Sequence, residues 1–325
     1  MIEIKQYSKE DQEIWDAFVS NSKNSTFLFY RDFMDYHSYK FEDNSLIIYD
    51  NNKVVGLLPA NKVSEDQIAS HSGLSYGGFI FDKNARLIEI LRIVYETLKF
   101  CKNSNINKII YKSFPIFYNS VGSDEIDYSF FLIEAKLMRR DSALVINLND
   151  KLAIQDRRMR SIRKAQKAGI LIEEVSKFDE FWDKILTPNL LSRFGVKPVH
   201  TINEIKSLAN SFPTNIRQFN AYQNGDIVAG TTIFETITVA HAQYISANND
   251  GRNSGALDLL FYKLIDQTFA HKNYFDFGIS NENNGLTINK GLLDWKEGFG
   301  GRAFSHDFFE IETNNYIKLE TLLND

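Results

Sequence analysis

YFDFGISNENNGLTINKGLLDWKEGFGGR, residues 274–302, is the stretch on which the reading of the chain turns. It opens as a short buried strand, Tyr274 to Ile279, with apolar residues on both sides of Asp276. A polar loop follows from Ser280 to Gly285, and then a segment from Leu286 to Glu297 whose spacing predicts a helix. Gly298-Phe299-Gly300-Gly301-Arg302 is a glycine-rich exit. Apolar positions surround Asp276, Asn281, Glu282, Lys290, Lys296 and Glu297. A core has no use for so many polar groups at one strand end, whereas a site that orients a polar substrate does.

Beyond this stretch, Ala303 to Glu310 reads as a closing strand and Tyr316 to Leu323 as a terminal helix. Before it lie three strands at hairpin spacing, Ile216–Tyr222, Ile227–Glu235 and Val239–Ser246, with Gln223-Asn224-Gly225-Asp226 turning the first into the second. The segment Ala247 to Gly255 is expected to be a loop. An amphipathic helix with Leu257, Leu260, Phe261, Leu264 and Ile265 on one side comes after it. Strand, glycine-bearing loop and helix start form an anion site from backbone N–H groups and the helix dipole. Asn249, Gly251, Arg252, Ser254 and Gly255 are its candidate residues. A loop that merely caps a helix is the plainer alternative.

Further upstream, Lys151 to Gly169 is expected to be a basic helix that stops at Gly169. Arg157, Arg158, Arg160, Arg163, Lys164 and Lys167 follow one another with no acid after Asp156. Arg160, Arg163 and Lys164 are candidate substrate grips, because the guanidinium fork binds two oxygens of a phosphate or carboxylate at once. A solvated helix face explains the same run. Phe178–Leu186 is expected to be helical and is followed by Arg193 beside Gly195. The turn-like Asn149-Asp150 is the expected boundary between an N-terminal domain, 1–149, and a C-terminal domain, 150–325.

The first half reads as strand, helix, hairpin (Ser45 to Asn61), strand, long helix (Leu87 to Leu98), strand, helix (Ile126 to Leu137) and strand (Arg140 to Leu148). His71-Ser72-Gly73-Leu74-Ser75-Tyr76-Gly77-Gly78 is either a cleft wall, with Tyr76 facing substrate, or a tight turn.

Composition bounds the possibilities. With 43% hydrophobic and 24% charged residues, the chain is of ordinary globular type. A net charge of −5 argues against a protein that coats nucleic acid, though not against a local basic patch. The single Cys101 excludes an intrachain disulfide, and no Cys/His spacing marks a zinc site, so no metal is expected. Met1-Ile2-Glu3-Ile4 lacks a leader pattern and no apolar run reaches span length, so a cytoplasmic location is expected.

Several words of this sequence resemble the FemAB-like acyltransferases of the GNAT (N-acetyltransferase) superfamily. They are Asp276-Phe277-Gly278, Asn281-Glu282, Asn284-Gly285-Leu286, Lys296-Glu297-Gly298-Phe299-Gly300-Gly301, the basic Arg160-x-x-Arg163-Lys164-Ala165, and Arg193 near Gly195. The resemblance implies an α/β (α+β) fold of tandem GNAT-like domains with mixed, mainly antiparallel sheets flanked by helices. It also implies an N-acyltransferase that moves an acyl or aminoacyl group to an amine of a sugar nucleotide, glycan or peptide precursor in envelope or polysaccharide biosynthesis. In GNAT enzymes the pyrophosphate of coenzyme A lies over Arg/Gln-x-x-Gly-x-Gly/Ala. Arg252-Asn253-Ser254-Gly255-Ala256-Leu257 matches the Arg and the first Gly and departs at Leu257.

An acyl-CoA donor needs one cleft and one anion site and is favoured. Aminoacyl-tRNA, the alternative donor and the one route by which nucleic acid becomes a partner, needs an extended basic surface. No Ser-His-Asp or Cys-His arrangement is legible, so direct transfer is expected. Strand Val239–Ser246 then supplies an oxyanion N–H, Tyr244 an acid, Glu282 the base with Asp276 second, and Lys296 electrostatic stabilisation. Lys290, Asn281 and Arg193 join the acceptor side. Each has a structural alternative: Asp276 as a loop cap, Lys296 as a solvent-facing charge, Tyr244 as sheet packing. A non-catalytic ligand-binding module with a degenerate GNAT cleft is the competing function. The sequence does not give the oligomeric state.

Overall fold

A computed structural model describes residues 2–324 of the protein. It divides into two compact units, 2–141 with 305–324, and 142–304.

In the first unit, strands Ile2–Gln6, Leu46–Asp50, Lys53–Leu58 and Ile80–Phe81 make an antiparallel sheet in that order. Asn51 and Asn52, at φ 48° and 65°, close its hairpin with the left-handed pair that matches strand twist. Asn61–Ser64, Gln67–Ala69, Lys108–Lys112 and Arg302–Glu312 are neighbours in a second set. Gln67–Ala69 and Lys108–Lys112 are parallel, and the chain between them holds helix Leu87–Asn103. That helix buries Ile90, Leu91, Val94 and Leu98. The helix expected at Ile126–Leu137 is shorter, Glu125–Leu132, because Glu134 turns left-handed (φ 51°) and Lys136 begins a strand.

His71 to Gly78 is a tight packed turn in this unit. A Cβ on Gly77 would lie 1.6 Å from the Ser70 carbonyl oxygen, and Gly78 takes φ 94°. The Tyr76 hydroxyl shares a 2.8 Å hydrogen bond with Thr26 Oγ1, and its ring packs on Phe29, Phe114 and Tyr118. His71 is buried against His37, and burial lowers its pKa to about 3. The unfolded chain therefore binds a proton near pH 6.5 that the fold refuses until about pH 3. Stability is unaffected by this group above pH 6.5 and is lost progressively below it. Denaturant melts of His71→Asn, which tolerates positive φ, should show a flatter fall in stability between pH 6.5 and 4 than wild type.

In the second unit the strand order is Lys136–Asn147, Tyr274–Ile279, Val239–Ala247, Asp226–Glu235, Ile216–Gln223 and Leu171–Val175. Every pairing is antiparallel except Val239–Ala247 with Tyr274–Ile279. One face carries a core in which Ala240, Ala242, Phe275 and Phe277 meet Ile162 and Ala165 of helix Asp156–Lys167 and Leu259 to Phe261 of helix Ala256–Lys263. The other face carries a helix that runs from Asp179 to Phe194, with Trp182 edge-on to Tyr244. Its middle, Trp182–Leu186, is a π turn, so Thr187 donates to the Trp182 carbonyl just before Pro188, which has no N–H to give.

Three local expectations need correction. The basic helix begins at Asp156, not Lys151. The helix expected from Leu286 begins at Lys290. The β-branched pair Thr287–Ile288 instead joins Asn281–Glu282 in a small hairpin, and the Asn289 side chain caps the helix by accepting from Leu292 N–H at 3.1 Å. The segment expected as a loop after Val239–Ala247 contains a helical turn, Asn249–Ser254, capped by Asn248.

The division of the chain also differs from a single cut at Asn149. Ala143 to Asn147, at the end of the first half, pair with Tyr274–Ile279 of the second unit. Phe308 to Glu312, at the end of the second half, pair with Lys108–Lys112 of the first. The cuts therefore fall inside two long strands, and residues 305–324 belong to the first unit.

Candidate functional site

The parallel strands Val239–Ala247 and Tyr274–Ile279 pair only at Val239, Ala240 and His241, opposite Tyr274, Phe275 and Asp276. Beyond His241 they part. A bulge at Gln243 breaks the register of Val239–Ala247 with its other neighbour, and Gly278 (φ 71°) turns Tyr274–Ile279 away. A cavity of about 580 Å³ opens in the fork. Ala242, Gln243 and Ile245 to Ala247 form one wall, Phe277 the other, Leu257 and Asp258 the helix side. Leu292, Trp295 and Lys296 close it.

Trp295 meets Phe261 (5.1 Å), Phe277 (5.5 Å) and Phe299 (5.3 Å) edge to face, and Phe299 packs at a tilt on Phe261 and Phe277. This cluster fixes helix Lys290–Glu297 against the fork and so places Lys296. Trp295 Nε1 donates to Asp258 Oδ1 at 2.7 Å, and Arg158 Nη1 donates to the same carboxylate at 3.1 and 3.2 Å. Lys296 is 2% exposed and donates to the carbonyls of Gly278 (2.9 Å) and Ile279 (2.7 Å). Burial lowers its pKa to about 8, opposed by the nearby Asp276 carboxylate.

No family model matches the sequence, and no curated protein matches it. Solved structures do. FemX aligns over 99% of this chain and all of its own, at 12% identity and TM-score 0.68. The C-terminal domain of a putative lysylphosphatidylglycerol synthetase from Agrobacterium fabrum aligns over 96% of this chain and 95% of its own, at 11% and 0.59. A tandem GNAT protein from the clavulanic acid biosynthesis pathway aligns over 96% and 99%, at 11% and 0.51. The chain has the FemAB-like, tandem GNAT fold.

Within this GNAT-like fork the expected residues separate into groups. Lys296 is in the cavity wall, and its solvent-facing alternative falls away. Arg193 and Arg252 line the mouth with Asn189. Arg252 donates to Asn189 Oδ1 (3.2 Å) and Asn249 Oδ1 (3.1 Å), and burial plus the charge of Arg193 lowers its pKa. Gly251 and Gly255 are set by packing. A Cβ on Gly251 would lie 2.2 Å from the Val228 carbonyl oxygen, and one on Gly255 (φ 81°) 2.5 Å from Ser161 Oγ. Ser254 is buried, its hydroxyl donating to the Gly251 carbonyl. The anion-binding capacity of this corner thus rests on the two arginines, and Leu257 narrows the cavity beside them.

Arg160, Arg163 and Lys164 stand on the exposed face of their helix, outside the cavity wall. Lys164 donates to the Asn253 carbonyl at 2.7 Å. Tyr244 is buried under Trp182 with its hydroxyl 2.5 Å from His200 Nδ1. Glu282 and Lys290 are exposed, and Glu282 Oε1 accepts from Asn289 at 3.0 Å. Asn281 Oδ1 accepts from the Ser142 N–H at 2.6 Å. Tyr76 lies in the first unit.

Asp276 is buried in the second unit and accepts twice, from the Gly278 N–H at 2.7 Å and from His241 Nδ1 at 2.7 Å. Sequence reading passed over His241, Arg158, Asn189, Asp258 and Trp295 as site residues. His241 was open to inference only from strand-to-strand register, and Arg158 only from the packing of helix Asp156–Lys167 beside helix Ala256–Lys263, neither of which the sequence prints. Among the described residues no group of three His, Cys, Asp or Glu side chains is placed to hold a metal ion, and no helix is long and apolar enough to cross a membrane.

Proposed function

We propose that the protein is an acyltransferase that moves an acyl group from a thioester donor, acyl-CoA in preference, to an amine of a sugar nucleotide, glycan or peptide precursor. The observation that carries this reading is the fork: two parallel strands that part over a cavity with a buried ammonium at its side and two arginines at its mouth. A strand edge without a strand partner beyond His241 offers backbone N–H groups to a carbonyl oxygen. The cavity volume suits an extended acyl-bearing arm. Arg193 and Arg252 suit the anionic part of the donor. Lys296, protonated below about pH 8, stabilises the negative charge that develops on the carbonyl oxygen. The tandem GNAT likeness supports the thioester.

Aminoacyl-tRNA is the second donor to consider. Arg160, Arg163 and Lys167 form no ion pair among the described residues, and they share an exposed helix. The lysylphosphatidylglycerol synthetase likeness supports an aminoacyl donor as well.

The test is turnover. Purified protein is incubated with acetyl-CoA and a panel of amino-sugar nucleotides and lysine-bearing peptides, and products are read by mass. Acylated amine supports the proposal. Donor binding with no product from any acceptor supports a ligand-binding module instead.

A further inference from the structure

We infer that His241, oriented by Asp276, is the general base that takes the proton from the acceptor amine; this rests on the transferase reading. His241 and Asp276 face each other at the last paired position of the two parallel strands, where the fork begins. Ala240 and Ala242 on one strand, and Phe275 and Phe277 on the other, enter the core beneath helix Ala256–Lys263. Strand alternation therefore sends His241 and Asp276 to the opposite face. The cavity wall includes Ala242, Gln243 and Phe277 and excludes this pair. A donor carbonyl held in the fork thus has Lys296 and the cavity on one side and the partly exposed His241 on the other.

The chemistry of the pair is specific. An ionised carboxylate only accepts, so His241 Nδ1–H donates to Asp276 Oδ2 at 2.7 Å. That leaves Nε2 with its lone pair. The His241 side chain is 19% exposed while Asp276 is 5% exposed, so the imidazole is reachable and the carboxylate is not. With both oxygens of Asp276 occupied by His241 and Gly278, Asp276 is a positioning residue and His241 the proton acceptor. Asp276 also raises the pKa of Lys296, which ties the two sides of the fork electrostatically. In the step, the amine nitrogen forms a bond to the thioester carbonyl carbon and its proton passes to His241 Nε2. The tetrahedral intermediate then expels the thiolate as the C–S bond breaks, and the thiolate takes the proton back from the imidazolium. Atoms and charge balance with no further reactant.

The experiment compares wild type, His241→Gln, His241→Ala and Glu282→Gln with acetyl-CoA and a lysine-bearing peptide, with calorimetric binding of acetyl-CoA measured on each. The expected result is a fall in kcat of roughly 100-fold or more in both His241 variants with acetyl-CoA affinity retained. Added imidazole should partly restore His241→Ala. Asp276→Asn should lose the low-field imidazole N–H proton resonance of His241 and part of kcat. Near-wild-type turnover in His241→Gln, or loss in Glu282→Gln with His241→Gln active, overturns the assignment and leaves the transferase reading standing. Wild-type protein that acylates nothing overturns both.

Discussion

Lys296→Met is expected to lose acyl transfer by roughly 100- to 1,000-fold, the scale seen when one preorganised donor to a developing oxyanion is removed. Its melting temperature should stay close to that of wild type. Two opposing terms produce that result. Methionine leaves the Gly278 and Ile279 carbonyls without the ammonium they now receive. It also removes a charge whose burial shifts its pKa from 10.5 to about 8, a penalty of roughly 3 kcal/mol. The sign of the pH effect follows from the same shift. Below pH 8 the lysine is charged in the folded and unfolded chain, and the penalty is fully present. From pH 8 to 10.5 the fold has released the proton and the unfolded chain has not, so the wild type gains stability relative to Lys296→Met as pH rises through that window. Turnover should move the other way and decline above about pH 8, as the ammonium is lost. Denaturant melts and steady-state rates at pH 7, 8, 9 and 10 check both. A variant that keeps wild-type kcat removes Lys296 from the chemistry.

The second large effect is one of packing. Gly251→Ala and Gly255→Ala should each destabilise the protein by several kcal/mol, because the new Cβ meets neighbours that cannot retreat. At Gly251 the obstacle is the Val228 carbonyl oxygen of strand Asp226–Glu235. At Gly255 it is Ser161 Oγ and, at 2.7 Å, the Ser161 carbonyl oxygen, with a left-handed backbone (φ 81°) added to the cost. Gly225→Ala, at a turn with open space around its Cα, carries only the φ 88° strain and should cost less. Urea denaturation separates the cases. If Gly255→Ala keeps full stability and instead loses donor affinity, the glycine serves ligand approach and not helix packing.

These glycines show where sequence reading reached its limit. Arg252 to Gly255 was legible as an Arg-x-x-Gly word near a helix start, and the arginine does reach the cavity mouth. The glycine in the word is explained by Ser161, almost a hundred residues earlier, and no local pattern carries that distance. The strand Tyr274–Ile279 and the buried surroundings of Asp276 were legible because apolar residues on both faces mark a covered strand. Asp276 had a loop-cap alternative, and it does bond the Gly278 N–H. Its second bond, to His241, depends on parallel register between strands joined by a long crossover, so His241 looked like an isolated residue in Val239–Ser246. The helix start at Lys290 was missed because the asparagine cap at Asn289 was outweighed by the apolar spacing before it. The strand exchange that takes residues 305–324 into the first unit left no trace in composition or linkers.

In the proposed reaction the fork of the second unit holds an activated acyl donor by its anionic part. Calorimetric titration of the purified protein with acetyl-CoA tests it most directly, on wild type and on Arg252→Ala. One saturable site per chain is expected in the wild type, and at least about tenfold weaker binding in Arg252→Ala, the cost of one charged hydrogen-bonding contact. No binding at millimolar acetyl-CoA, or binding that Arg252→Ala leaves untouched, would contradict it.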